Sequence, residues 1–275
     1  MFTDCVGTVL DTNVFYSLAQ NKYFSSYLKQ KYGKLLASPL SAIEIIASSN
    51  PQNFEFHQAV IRTFADVDEI LPSPYEHLTE AWEIPNYEPR IKVEDRVKPL
   101  MVFFAYEQFG DAESMVKSLS EEKNSACQFA IANMEELKKK LLPGYLTARK
   151  SGRMLQPNDA RLNQLKENVF SKEYLDIFLN SRFRIALSEY GAMNLEMEPS
   201  GYQFNLAFER LNYYLRMYAG YLLSSFMRTP KHNDLIDREL LIYLGPNCKF
   251  LTHDKLWLEI AQEAKLGNAI IYLTS

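Results

Sequence analysis

The apolar residues at the two ends of the chain change their spacing in a regular way. Short apolar runs, each closed by polar or turn-forming residues, occur at 5–10, 34–37, 248–252 and 268–274, and the first of them is rich in β-branched residues. Such runs are typical of short buried strands. Between them apolar residues recur every three or four positions, which predicts helices at 14–30, 41–49, 53–70, 237–244 and 255–267. Strands that alternate with helices indicate a parallel sheet covered on both faces, so the predicted fold class is α/β.

The middle of the chain has a different pattern. Residues 76–227 have helical apolar spacing almost throughout, in segments separated by proline and glycine. We therefore predict an α/β core in two pieces, residues 1–75 and 228–275, with a helical insertion at 76–227.

Composition narrows the classes of protein. Hydrophobic residues make up 47% of the 275 residues, which permits a real core and argues against a disordered chain. The 30 basic and 34 acidic residues give a formal net charge of −4, so the chain is not a generally basic nucleic-acid coat protein. Any contact with nucleic acid must come from a local basic patch.

The spacing of the cysteines and the first residues of the chain indicate the cellular compartment of the protein. Cys5, Cys127 and Cys248 form no C-x-x-C pair, so neither a zinc ribbon nor a disulfide framework is indicated. The first residues show no basic segment followed by an apolar one, and no stretch is apolar enough to span a membrane. These patterns favour a cytoplasmic protein.

Acidic residues follow the predicted strands or open the predicted helices. They are Asp11 after the first strand, Glu44 one turn after Ser41, Asp234 and Asp237 near a helix start, and Asp254 in a Thr252-x-Asp254 motif after a strand. Ligands of parallel sheets bind outside the carboxyl ends of the strands, so we expect these acids to meet at one rim. Carboxylates brought together repel each other unless a cation lies between them. Oxygen ligands suit Mg²⁺ or Mn²⁺, which can activate water for phosphodiester cleavage.

Each of these patterns also has a structural explanation. Asp11 can cap the helix that follows it, and Ser41 with Glu44 matches the S-x-x-E capping box. Acids at a helix start are favoured by the helix dipole, which applies to Asp234 and Asp237. The joint occurrence of the patterns in this order favours a metal site.

In this order the motifs resemble the PIN-domain family. The resemblance covers residues 1–75 and 228–275 and implies a three-layer α/β/α sandwich with a central parallel sheet. It also implies a metal-dependent nuclease, usually acting on RNA; some members are toxins of toxin–antitoxin pairs and others process RNA. By position, Asp11, Glu44 and Asp237 match the core metal-binding acids, Asp254 matches the more variable fourth acid, and Asn13, Thr252 and Ser41 match supporting polar residues. Asp234 matches either a further ligand or only the helix cap.

A basic segment lies in the predicted insertion. Its candidate nucleic-acid contacts are Lys138, Lys139, Lys140, Tyr145, Arg149, Lys150 and Arg153. Basic side chains can neutralise phosphates, and an aromatic ring can stack on an unpaired base. The alternative is a solvated helix end, where lysines are favourable in any case.

Two functions stay open at this point. The first is an endoribonuclease that uses Mg²⁺ or Mn²⁺ to activate water, with Asp11, Glu44, Asp237 and Asp254 as catalytic acids. The second is a catalytically degraded PIN-like scaffold that binds RNA or protein through the insertion. An aspartyl phosphatase is disfavoured because Asn13 replaces the second Asp of its D-x-D motif. The partners considered are RNA, a second copy of the chain and an antitoxin or other protein.

Overall fold

Five short strands form the centre of the fold. A computed structural model describes residues 5–82, 93–142, 160–189, 200–228 and 230–274. The strands are β1 (Gly7–Leu10), β2 (Leu35–Ala37), β3 (Glu69–Ile70), β4 (Cys248–Thr252) and β5 (Ile270–Tyr272). They make one sheet in the order β3-β2-β1-β4-β5, and every neighbouring pair is parallel. The predicted α/β class is confirmed.

Helices account for most of the remaining described residues. Those of the N-terminal part are α1 (Thr12–Gln20), α2 (Phe24–Tyr32), α3 (Pro39–Ala47), α4 (Phe54–Arg62) and α5 (Pro74–Ala81). The central ones are α6 (Val93–Tyr106), α7 (Phe109–Leu141), α8 (Ala160–Val169), α9 (Lys172–Glu189) and α10 (Gly201–Met227). The last two are α11 (His232–Leu240) and α12 (Lys255–Glu263). Of the helices in the described ranges, none is long and apolar enough to cross a membrane.

The helices predicted over 14–30, 53–70 and 237–244 differ in extent from the structure, and the last of them begins at His232 and ends at Leu240. The helix predicted over 14–30 is two helices, because Asn21 leaves helical geometry and its side chain accepts a hydrogen bond from the backbone N–H of Tyr23 at 3.1 Å. The helix predicted over 53–70 ends at Arg62 and is followed by a 3-10 turn and β3. The two residues of β3 are too few to interrupt a helical pattern in the sequence, and they are ordered by pairing with β2.

Helices pack on both faces of the sheet. Because successive residues of a strand point to opposite faces, Val9 and Phe250 belong to one hydrophobic cluster, and Leu10 and Leu251 to the other. Helices α5 and α7 to α12 contribute to the first cluster, and helices α1 to α4, α6 and the first part of α7 to the second. Burial of both faces explains why the strands are almost wholly apolar.

The segment predicted as an insertion shares both hydrophobic clusters with the core. Phe104 of α6 and Ala112 of α7 pack in the cluster of Leu10, whereas Tyr214 of α10 packs in that of Val9. A buried ion pair between Arg182 of α9 and Glu239 of α11 adds a polar link. The described helices of segment 76–227 therefore pack in the same two hydrophobic clusters as the helices of the predicted core.

Candidate functional site

The order of the strands creates one natural position for a site. The chain runs outward from β1 through β2 to β3 and returns to add β4 and β5 on the other side. At such a reversal the connections leave in opposite directions and open a crevice outside the carboxyl ends of the strands. Strand β1 ends at Leu10, which pairs with Leu251 of β4. Asp11 and Thr252 follow directly, so both lie at this point.

Asp11 is held firmly at the end of β1. It is fully buried, and its backbone N–H continues the ladder by donating to the carbonyl of Leu251 at 2.9 Å. Its Oδ2 accepts from Thr252 Oγ1 at 2.5 Å and from Asn13 Nδ2 at 3.4 Å. Its Oδ1 is buried and has no hydrogen-bond partner among the described residues. A buried carboxylate oxygen in this state needs a proton, water or a cation.

Glu44 reaches the site from α3, and the start of this helix differs from the prediction. Helix α3 begins at Pro39 and is capped by Ser38, whose Oγ accepts from the N–H of Leu40 at 3.2 Å. The predicted capping box of Ser41 and Glu44 is therefore wrong, because serine as cap with proline in the first turn starts the helix earlier. Ser41 is fully buried, and its hydroxyl has no hydrogen-bond partner within the part of the chain that the structure describes.

Glu44 contacts two residues that the sequence analysis did not identify. Thr12 Oγ1 donates to Oε2 of Glu44 at 2.8 Å, and Nζ of Lys123 lies 3.7 Å from Oε1. Thr12 could have been identified from the sequence, since it follows Asp11 in the same motif. Lys123 could not, because it lies in α7 and no local pattern links it to α3.

Asp237 brings a second buried carboxyl group to Asp11. It is 4% exposed, and its carboxyl group lies within hydrogen-bonding reach of that of Asp11. Burial raises the pKa of Asp237 well above its usual range, and the charges of Asp11, Glu44 and Asp254 raise it further. The structure therefore brings Asp11 and Asp237 into contact, with Glu44 and Asp254 close enough to affect their ionisation.

The same physical causes act on the other two buried acids. Burial raises the pKa of Asp11, against hydrogen bonds from Thr252 and others that lower it. Burial also raises the pKa of Glu44, and the charge of Lys123 opposes this. All three acids thus favour either protonation or a nearby positive charge.

These features fit a small hard cation in part. The unpartnered Oδ1 of Asp11 and the carboxyl group of Asp237 beside it are the oxygen donors that Mg²⁺ and Mn²⁺ prefer. Within the described ranges, however, no three His, Cys, Asp or Glu side chains form a group that could by itself hold a metal ion. Among the described residues, the geometry provides the carboxyl pair of Asp11 and Asp237 with Glu44 nearby.

The remaining predicted acids are helix caps. Asp254 is half-buried and caps α12 by accepting from the N–H of Leu256 at 2.8 Å, and its own N–H donates to Thr252 Oγ1 at 2.9 Å. Asp234 Oδ2 accepts from Arg228 Nη1 at 2.7 Å and from the N–H of Lys231 at 3.0 Å. Of the two roles left open for Asp234, the structure shows the cap, because a guanidinium already neutralises its carboxylate.

The predicted basic patch loses one of its members. Lys138 is fully buried, and its Nζ donates to the carbonyl of Ser225 and to Glu135, both at 2.9 Å. Its assignment to nucleic-acid contact is corrected, because a buried, paired ammonium cannot reach a phosphate. Lys139 and Lys140 are exposed, and Lys140 pairs with Glu136 at 3.0 Å. Tyr145, Arg149, Lys150 and Arg153 lie outside the described residues.

Comparison of the chain with models of known protein families, with curated proteins and with solved structures finds no match. The resemblance to the PIN-domain family therefore rests on the sequence motifs alone.

Proposed function

We propose that this protein is a divergent PIN-like nuclease, a Mg²⁺- or Mn²⁺-dependent endoribonuclease that hydrolyses phosphodiester bonds in RNA. The observation that carries the proposal is the contact between the buried carboxyl groups of Asp11 and Asp237 at the point where the strand order reverses. The proposal includes a three-layer α/β/α sandwich, which is supported by separate hydrophobic clusters on the two faces of the sheet.

The cost of this contact argues against a purely structural role. Two carboxyl groups buried side by side lose hydration and repel each other, and an apolar pair of similar size would pack without this penalty. Buried acids with raised pKa values cluster at functional sites for this reason. Helix capping explains Asp234 and Asp254, but Asp237 lies beyond the first turn of α11 and caps nothing.

The chain's own residues have distinct tasks in this proposal. Asp11, Glu44 and Asp237 would hold the metal, with Asp254 as a fourth acid at the edge. When bound, Mg²⁺ or Mn²⁺ neutralises charge on the phosphate and activates water for attack. Thr252 and Asn13 orient the Asp11 carboxylate through hydrogen bonds to Oδ2, which leaves Oδ1 free for a ligand.

The test measures cleavage by the purified full chain. Single-stranded RNA and DNA of one sequence are incubated with Mg²⁺ or Mn²⁺, with and without EDTA. We expect cleavage of RNA that EDTA stops and that Asp11→Asn and Asp237→Asn each reduce at least about a hundredfold. Asp66→Asn is the matched control, because Asp66 is exposed and precedes β3 at the opposite edge of the sheet. Cleavage that survives both substitutions or ignores EDTA contradicts the proposal.

A second candidate is the catalytically degraded scaffold. It is favoured by the ion pair of Lys123 with Glu44, and by the lack of a complete metal-binding group among the described residues. Failure of Mn²⁺ to stabilise the folded protein, together with RNA binding without cleavage, would select this candidate.

A further inference from the structure

Lys123 is the residue through which the central helical segment contacts Glu44. It lies in the middle of α7, and its Nζ is 3.7 Å from Oε1 of Glu44 and 3.0 Å from Oγ of Ser48. One turn further along α7, the thiol of Cys127 contacts the carbonyl of His232 at the start of α11. Helix α7 therefore bridges α3, which carries Glu44, and α11, which carries Asp237.

The ammonium group of Lys123 is only partly used by these contacts. A close charge-assisted hydrogen bond measures about 2.7–2.9 Å, so 3.7 Å to Glu44 is a long ion pair. The short hydrogen bond goes to the neutral hydroxyl of Ser48, which itself donates to the carbonyl of Glu44 at 2.7 Å. Because an ammonium has three donors, Lys123 keeps capacity for an anionic oxygen.

Lys123 also has access to solvent. Its side chain is 15% exposed, whereas that of Glu44 is 6% exposed. The side chain of Lys123 is thus more accessible to solvent than that of Glu44. This contrasts with Lys138 of the same helix, whose side chain is fully buried.

We propose that Lys123 is a substrate-contacting residue, which donates a hydrogen bond to a phosphate of the RNA strand next to Glu44. This inference rests on the proposed nuclease function and gives helix α7 a part in it. A positive charge at this place lets a polyanion approach a cluster of carboxylates that would otherwise repel it.

The test compares Lys123→Met with Lys123→Arg and with Lys117→Met. Lys117 lies on the same helix and is exposed, so its substitution removes the same charge away from the site. Binding of a labelled single-stranded RNA is measured by fluorescence anisotropy in EDTA over a range of salt concentrations. We expect Lys123→Met to weaken binding about tenfold and to reduce the salt slope by about 0.7, the value for one phosphate contact on a single strand. Lys123→Arg should retain binding.

Cleavage and folding measurements separate the outcomes. In the presence of Mn²⁺, Lys123→Met should raise KM more than it lowers kcat, and thermal unfolding shows whether the variant is folded. If it is not, Lys123→Gln is used, since glutamine can still donate to Ser48. Suppose that the wild type cleaves RNA and that the Lys123→Met and Lys117→Met variants bind RNA equally well. This result would overturn the inference about Lys123, and the proposed nuclease function would still hold. RNA binding by the wild type without cleavage would overturn the proposed nuclease function. The affinities of the two variants would still show whether Lys123 contacts RNA.

Discussion

The hydroxyl of Thr252 donates a hydrogen bond of 2.5 Å to Oδ2 of Asp11, across 241 positions of the chain. The bond joins the ends of β1 and β4, which pair in parallel from Gly7 with Cys248 to Leu10 with Leu251. It fixes one oxygen of Asp11, while the other, Oδ1, is buried and has no hydrogen-bond partner among the described residues. The carboxyl group of Asp237 lies within hydrogen-bonding reach of that of Asp11.

Substitution of Asp237 by Asn should stabilise the metal-free protein at neutral and alkaline pH. The folded pKa of Asp237 is raised from 3.8, so its contribution to stability is fully present below pH 3.8 and is lost as the pH rises through the raised value. Asparagine cannot lose a proton, and its amide can donate to Oδ1 of Asp11. We expect a gain of at least about 1.4 kcal/mol at pH 8 in the free energy of unfolding by urea, the equivalent of one pKa unit.

The control for this substitution is Asp66→Asn, which removes an exposed charge. Its stability should follow the wild-type pH profile. Parallel profiles for the wild type and Asp237→Asn between pH 4 and pH 8 would show that the Asp237 carboxyl group is not under strain.

Added Mn²⁺ should stabilise the wild type, because a ligand that binds only the folded state shifts the folding equilibrium by mass action. The gain is about 2.7 kcal/mol at a concentration a hundred times Kd. This gain in stability should be absent in Asp11→Asn, which loses a negatively charged oxygen ligand for the metal at the centre of the site. Thermal unfolding with and without EDTA measures it.

The Asp234→Asn variant separates the cap from the metal ligand. Asp234 pairs with Arg228 and accepts from the N–H of Lys231, so the variant should be less stable than the wild type by about 1 kcal/mol. Its response to Mn²⁺ should be retained. A lost response would place Asp234 among the ligands after all.

Lys138 should matter for stability and not for nucleic-acid binding. Lys138→Met leaves the carbonyl of Ser225 without this donor and should cost about 1–3 kcal/mol of unfolding free energy. Lys139→Met, at the exposed neighbouring position, should change it by less than about 0.5 kcal/mol. Urea unfolding and RNA binding are measured for both variants. A loss of RNA affinity in folded Lys138→Met that exceeds the loss in Lys139→Met would show that Lys138 does contact RNA.

Cys5 and Cys248 should form a disulfide under mild oxidation. Their thiols lie within hydrogen-bonding reach, and contact with the Cys5 thiol raises the pKa of Cys248. Cys5 is half-buried and Cys248 buried, so Cys5 should react first with oxidised glutathione and release one glutathione. Cys248, after losing its proton, should then attack the Cys5 sulfur of the mixed disulfide and release the second glutathione. Peptide mapping by mass spectrometry should show the link in Cys127→Ser and not in Cys5→Ser. Exclusive glutathionylation of Cys5 would show that the two sulfur atoms cannot meet.

The sequence predicts the features that depend on local patterns. The apolar runs that become β1, β2, β4 and β5 are visible because both faces of a parallel sheet are buried, which leaves almost no polar residue in a strand. Asp11 and Thr252 could be placed at the same rim from the strand-end rule alone. Strand β3 could not be predicted from the sequence, because Glu69 and Ile70 are not buried and take extended geometry only through pairing with β2.

What the sequence determines by itself is therefore the α/β class and the set of acids placed at strand ends and helix starts, since both follow from neighbours along the chain. Only the tertiary structure decides which of those acids meet. Asp237 contacts Asp11, while Asp234 is neutralised by Arg228 and Asp254 caps α12. It also decides that Lys123 reaches Glu44 and that Lys138 is buried, because these contacts join helices that are distant in sequence. Their energies depend on burial and distance in three dimensions, and no local pattern of residues encodes either.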